Sequence, residues 1–188
     1  DGTNEGAVHL FLGAANGLAN TPELTLEGNS TNAYFGDTLS PTGDINGDGY
    51  PDMLVGSNRY ENGEVGEGHV QFFPGISQGI STTATREWEG DVAYAFLGQN
   101  NAAEGDINAD GYGDFVLGAP GAIIGSQLGA ARVFYGSSEG PGASPDLTLT
   151  GGTAGDGFGD TDLAPRIRDA SASVSGERRR ITYALEVK

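Results

Sequence analysis

The chain repeats itself at a fixed interval. The segment ending AVHLFLG at Gly13 recurs as HVQFFPG at Gly75 and as ARVFYG at Gly136, steps of 62 and 61 residues. LTLEG at Gly28 returns as EWEG at Gly90 and LTLTG at Gly151, and AYFG at Gly36 returns as AFLG at Gly98 and GFG at Gly159, by the same two steps. A fourth landmark, GDINGDGYPDMLVG at 43–56, reappears as GDINADGYGDFVLG at 105–118, a shift of 62. The period exceeds the ~20–50 residues of most repeat families, so each unit should be a whole supersecondary module that packs on its neighbours.

Within one unit the apolar runs are short, rich in Val, Leu, Phe and Tyr, and bounded by Gly, Asn, Asp or Pro, which reads as strands. Four are expected, around Tyr34–Leu39, Met53–Val55, Val70–Phe73 and Arg86–Trp88, with counterparts one period on. No stretch shows a sustained 3.6-residue apolar period with caps, so helices should be few. Four short antiparallel strands per repeat describe a β-propeller blade better than a solenoid coil. The expectation is an all-β chain with blades over 1–160, about 2.5 to 3 of them at this period. Counting 62 back from Asp44 passes residue 1, so the sequence opens in mid-repeat, and a ring of four to eight blades would need further blades or other chains to close. The 33 glycines, without a collagen-like period, fit a chain that turns often.

Charge marks a second unit. Residues 1–165 carry a net −20 and residues 166–188 a net +3, within an overall −17, so the stretch 161–188 is read as a C-terminal tail, either an edge strand or the start of an immunoglobulin-like module. The acidic balance argues against nucleic acid and anionic membrane surfaces as partners and favours cations. No apolar run approaches the ~18 residues of a membrane span, so no membrane insertion is expected. With no cysteine there is no disulfide scaffold, thiolate metal site or cysteine nucleophile.

The chemistry concentrates in the duplicated acidic segment. In Asp44-Ile45-Asn46-Gly47-Asp48-Gly49-Tyr50-Pro51-Asp52, oxygen-bearing side chains fall at positions 1, 3, 5 and 9, and the second copy supplies Asp106, Asn108, Asp110 and Asp114. A tightly curled loop can turn alternate oxygens inward. A hard cation such as Ca²⁺ takes six to eight oxygens at about 2.3–2.6 Å, and a main-chain carbonyl from position 7, Tyr50 or Tyr112, would join the side chains. Gly49 and Gly111 at position 6 permit the sharp turn. Three carboxylates per loop favour Ca²⁺ over Mg²⁺, and nothing offers the imidazole or thiolate that zinc prefers. The loops are not EF-hands, because position 12 is Val55 in one and Leu117 in the other where a bidentate Glu is needed, and the flanks read as strands. A metal-free Asx turn would leave three carboxylates crowded into nine residues, twice, with no charge to offset them.

These residues resemble the FG-GAP repeats of integrin α-subunit β-propellers. The name-giving FG stands at Phe35-Gly36 and Phe158-Gly159, with a departure at Phe96-Leu97-Gly98. The GAP element is intact at Gly118-Ala119-Pro120 and altered to Gly56-Ser57-Asn58, and D-x-[DN]-x-D-G-x-x-D loops lie between. The resemblance covers about residues 5–160. It implies a non-enzymatic extracellular, cell-surface or periplasmic propeller module for adhesion or recognition of a protein or glycan, with structural Ca²⁺ at two sites. The alternatives are an accessory region of a larger secreted hydrolase and a lectin-like propeller. A third loop would begin at 167 or 168, where Arg166-Ile167-Arg168 stands instead.

No catalytic constellation emerges. His9 and His69 occupy non-equivalent repeat positions and have no triad or metal-pair spacing. Asp169-Ala170-Ser171-Ala172-Ser173 copies a metal-dependent adhesion motif but has none of the α/β domain that such a site requires. Trp88 is read as a blade-core or edge residue rather than a sugar platform.

Overall fold

In the computed structural model the described residues are 2–15, 17–103, 105–124, 127–151 and 158–159. The C-terminal tail, with its alternative readings, lies outside them, as does the arginine-bearing replacement of a third loop.

The described strands in chain order are β1 (Ala7–Leu10), β2 (Gly13–Ala14), β3 (Gly17–Leu18), β4 (Leu24–Glu27), β5 (Thr38–Pro41), β6 (Met53–Ser57), β7 (His69–Phe73), β8 (Gly75–Ile76), β9 (Gly79–Ile80), β10 (Arg86–Glu89), β11 (Asn101–Ala102), β12 (Phe115–Ile124), β13 (Gln127–Phe134) and β14 (Leu147–Thr150). Two antiparallel four-stranded sheets form, in the orders β10-β7-β6-β5 and β11-β12-β13-β14. Each is a meander of consecutive strands, which is a propeller blade. We call them the first and second blades. The pair β1-β4 stands one period before β7-β10 and is the outer half of a blade. Among the described residues there is no helix, so the chain is all-β with incomplete propeller architecture.

Burial explains why the middle strands read as continuous apolar runs. β6 and β7 have neighbours on both faces, and Leu54, Val55, Val70 and Phe72 are all buried. The side strands β4 and β10 alternate, burying Leu26 and Trp88 while their flanking residues face out. Strands two, three and four of the blade lie within a few residues of expectation. The innermost strand is shifted. Sequence placed it from Tyr34, but it starts at Thr38, because Tyr34 and Gly36 adopt φ of +60° and +86°, and left-handed backbone interrupts a strand.

The repeat extends to backbone conformation. Asn29, Asn32 and Tyr34 have positive φ, as do Asp91, Tyr94 and Phe96 exactly one period later. The reason is the contact between successive repeats. Gly68 (φ +79°) leaves no room for a side chain, since a Cβ there would overlap the Leu97 main chain. Gly90 N donates to Gly68 O at 3.0 Å and Leu97 N to Glu67 O at 3.0 Å, and Gly28 N and Phe35 N make the matching bonds to Gly6 O and Glu5 O. Leu97, fully buried, therefore takes the place that Phe35 holds one period earlier, which explains the departure from FG.

The core lies between blades rather than within one. Ile45, Leu54, Val70, Phe72 and Trp88 of the first blade meet Leu97, Phe115, Leu117 and Phe134 of the second in a single cluster. Phe115 and Phe134 stack with centroids 4.9 Å apart and planes at 8°, and Trp88 tilts against both. Such pairs contribute about 0.5–1.5 kcal/mol each beyond their buried area. Trp88 Nε1–H donates to Gly142 O at 3.1 Å. Its burial fits the core reading and leaves no face for a sugar. Arg132 on β13 bridges the same interface, donating to Glu89 O at 2.9 Å and Gly90 O at 3.2 Å. Burial lowers its pKa, opposed by Asp91.

Candidate metal centre

Both acidic loops connect the first and second strands of a blade: residues 42–52 join β5 to β6, and 103–114 join β11 to β12. Each is closed at its neck by main-chain bonds, Asp52 N to Gly43 O at 2.7 Å and Asp114 N to Gly105 O at 2.7 Å. Inside, the carboxylates and amides are held by backbone N–H groups. Asp44 Oδ1 accepts from Asp48 N at 3.0 Å and Oδ2 from Gly49 N at 2.8 Å. Asn46 Oδ1 accepts from Asp48 N at 3.0 Å, and Asp48 Oδ1 from Tyr50 N at 2.9 Å. The second loop repeats every one of these bonds. Asp106 accepts from Asp110 N at 2.9 Å and Gly111 N at 2.8 Å, Asn108 from Asp110 N at 3.0 Å, and Asp110 from Tyr112 N at 2.9 Å.

Position 9 has a further task. Asp52 is buried; its Oδ2 accepts from Ile45 N at 2.8 Å and its Oδ1 from Gly75 N at 2.7 Å, so one carboxylate ties the loop to the end of β7. Asp114 does the same, accepting from Ile107 N at 2.5 Å, Asn108 N at 3.3 Å and Gly136 N at 2.9 Å. Burial raises the pKa of Asp52, opposed by the N–H groups of Gly75 and Ile45 and reinforced by the charges of Asp48 and Asp44. Asp114 is raised for the same first reason, opposed by Gly136, Ile107 and Asn108 and reinforced by Asp110. A buried carboxylate with acidic neighbours and no cationic side chain among those causes is an arrangement that a divalent cation would relieve.

The donor set fits such an ion. Every side chain expected from sequence, Asp44, Asn46, Asp48, Asp52, Asp106, Asn108, Asp110 and Asp114, belongs to one of the two loops, and all present hard oxygens. Asp44, Asp52 and Asp106 each accept one backbone N–H per carboxylate oxygen, which leaves a second lone pair on each of those oxygens. Gly49 and Gly111 turn with φ of +90° and +96°, and nothing lies within 4 Å of where a Cβ would stand. Position 12, Val55 and Leu117, is fully buried in β6 and β12, so the EF-hand alternative fails because that side chain belongs to the core.

Sequence reasoning missed two features. Gly75 N and Gly136 N, 23 and 22 residues beyond their aspartates, hold the position-9 carboxylates; the near-equal offset was a usable signal, since both glycines are repeat landmarks. The other is an acidic trio away from the loops. Among the described residues, Glu67, Glu89 and Asp91 bring one carboxylate oxygen each within 4.8 Å of one another. Asn62 N donates to Glu67 at 2.5 Å and Asn62 Nδ2 to Glu89 at 3.1 Å. Nothing in the spacing of these residues announces their meeting.

The fold and the paired loops define a propeller built of FG-GAP units, and comparison agrees. Residues 35–70 and 98–134 match the FG-GAP repeat. The chain carries two such repeats and is homologous to integrin alpha subunits: it is 32% identical over 140 residues to integrin alpha-PS2 of Drosophila melanogaster, covering 70% of this chain and 10% of that protein. Integrin alpha-3 of Cricetulus griseus is 32% identical over 152 residues, 80% of this chain and 14% of its own length. Integrin alpha-6 of Gallus gallus is 30% identical over 164 residues, 82% of this chain and 14% of its own. The chain thus spans about a tenth to a seventh of the length of these relatives.

Proposed function

We propose that this chain is a non-enzymatic extracellular recognition module in which each of the two loops binds one structural Ca²⁺. The observation that carries the reading is the duplication of the whole bonding pattern, with the same oxygens held by the same backbone N–H groups at a spacing of 62 residues. Asp44, Asn46, Asp48 and Asp52, with the Tyr50 main-chain carbonyl, would hold one ion; Asp106, Asn108, Asp110 and Asp114, with the Tyr112 carbonyl, would hold the other. The ion supplies positive charge that offsets three carboxylates per loop. The protein's part is to pre-form the cage, and the position-9 aspartate transmits its rigidity to the third strand through Gly75 or Gly136.

The partner-binding end is the opposite one. There Tyr34, Val65, Tyr94 and Ile123 are exposed, and two of them sit on left-handed backbone, φ +60° at Tyr34 and +61° at Tyr94. Apolar and aromatic side chains gathered in solvent at one end of the blades support docking of a protein or glycan here. The animal origin of the relatives supports an extracellular cell-surface setting and gives none to a periplasmic one. No helix among the described residues is long and apolar enough to cross a membrane.

Thermal melts with Ca²⁺ and with excess chelator test the metal reading. At 100 times the dissociation constant each ion stabilises the fold by about 2.7 kcal/mol, so chelation should lower the Tm by many degrees. An identical melt in both conditions would refute structural calcium.

A further inference from the structure

The two loops touch. Gly113, position 8 of the second loop, donates its N–H to the main-chain carbonyl of Asp44, position 1 of the first, at 3.0 Å. Ser137 N, next to the Gly136 that Asp114 holds, donates to Ile45 O at 3.1 Å. The Tyr112 ring lies over Gly47, where a Cβ would come within 2.6 Å of its Cε1. Gly113 is flanked by Tyr112 and Asp114, two members of the second cage, and its acceptor belongs to Asp44, a member of the first. Whatever fixes the orientation of the 112–114 backbone therefore fixes the backbone of Asp44. The link has no counterpart upstream from the first loop, because position 8 there is Pro51, which has no N–H to donate.

From these contacts we infer that the loops form one coupled unit, in which a cation bound by residues 106–114 strengthens cation binding by residues 44–52 through the Gly113–Asp44 hydrogen bond and the Tyr112–Gly47 contact. The inference rests on the reading of both loops as Ca²⁺ sites. Coupling through shared, ordered backbone is reciprocal, so the first loop must strengthen the second by the same factor. The physical cause is that ordering one cage also orders part of the other, and the second ion then meets a loop already held.

Calorimetric titration of the full chain with CaCl₂ alone tests this. The native chain should bind two ions with positive cooperativity, and the first loop should bind about fivefold more weakly in the D106N/D110N variant than when the second loop is filled, a factor in the usual range for coupled sites. Gly113→Pro copies the residue at the equivalent place in the first loop, leaves every proposed ligand in place and removes the donor. It should retain two ions but lose the cooperativity. Tyr112→Leu removes the ring from Gly47 while keeping the main chain, so it decides the matter with the same expected loss, in part, if Gly113→Pro does not fold. Two ions binding independently, with isotherms unchanged by either substitution, would overturn the coupling and leave the calcium sites standing. No uptake by the native chain would instead overturn the sites themselves.

Discussion

The molecule contains the same interface twice, once whole and once in part, and the difference shows what a blade needs from its neighbour. Between the first and second blades, Trp88, Phe115 and Phe134 form a buried aromatic stack surrounded by Ile45, Leu54, Phe72, Leu97 and Leu117. Between the β1-β4 pair and the first blade the same face holds Val8, Leu26, Phe35, Val55 and Phe73, with Leu24, Met53, Ile80 and Ala84 only partly buried. Phe73 and Phe134 occupy equivalent places, but among the described residues the ring that Phe73 meets is Phe35, edge-on at 6.3 Å, where Phe134 meets both Trp88 and Phe115. A blade's core belongs to the pair of blades, and two strands cover a neighbour's face less completely than four do.

The sharpest way to break this comparison is to empty the equivalent positions. Phe134→Ala should cost about 4 kcal/mol and Phe73→Ala about 3, both within the range for buried aromatic truncations, read from urea unfolding midpoints. The order matters more than the values. If Phe73→Ala proved the more damaging, the full interface would not be the one that holds the molecule together.

The position-9 aspartates come next in size. Asp114→Ala leaves the N–H groups of Ile107, Asn108 and Gly136 without their acceptor, and Asp52→Ala leaves those of Ile45 and Gly75. Stranded buried donors cost about 1–3 kcal/mol each, softened where water reaches them, so about 2–4 kcal/mol is expected for Asp114→Ala and somewhat less for Asp52→Ala. Measuring both melts in chelator isolates the structural role from any ion. Equal melts for variant and native chain would show that these carboxylates do not tie the loops to β7 and β13.

Much of this was legible because repetition supplies its own alignment. A landmark at Gly13, Gly75 and Gly136 located the strand ends without any outside comparison, and the alternate oxygens of 44–52 stood out because they recurred at 106–114. What stayed hidden depended on contacts between units. Nothing local in Tyr34 or Phe96 predicts left-handed backbone, since it is imposed by the main-chain bonds to the preceding repeat. The trio of Glu67, Glu89 and Asp91 was hidden because those residues come from the segment before β7 and the end of β10, which adjoin only after the sheet forms. The Gly113 link was hidden because a glycine at position 8 reads as turn composition until its N–H has an acceptor.

The ends of the blades that face away from the loops differ, and His69 tests that end by pH. In the first blade residues 58–68 form an irregular connection, whereas in the second the strands continue to Ile124 and Gln127. His69 at the base of that connection stacks on Tyr60 with centroids 4.5 Å apart, and its Nε2 lies 3.2 Å from Glu87. Burial lowers its pKa below 6.5, against the opposing pull of Glu87, Glu89 and Glu67. A histidine with a depressed folded pKa binds its proton more readily when unfolded, so its contribution to stability is lost as pH falls from about 6.5 towards the folded value. His69→Gln should flatten that part of the stability curve. The Ala130 position of the second blade, equivalent in the repeat, has no such group. A curve of unchanged slope in the variant would assign the acid sensitivity elsewhere.

The smallest expected effect distinguishes the loops themselves. At position 4 the first has Gly47 at φ +72° and the second Ala109 at φ +61°, so the second loop holds a side chain in a conformation that L-residues avoid at roughly 1 kcal/mol. Ala109→Gly should relieve that strain, offset in part by the greater freedom glycine gives the unfolded chain, for a net gain of about 0.5 kcal/mol. Gly47→Ala should do the reverse and more, because the new methyl would meet both the left-handed backbone and the Tyr112 ring. Paired melts of the two variants make the comparison directly: opposite signs follow if the loops share one backbone plan and differ by one methyl group, whereas equal signs would mean that the Tyr112 contact, and not the turn, governs the first loop.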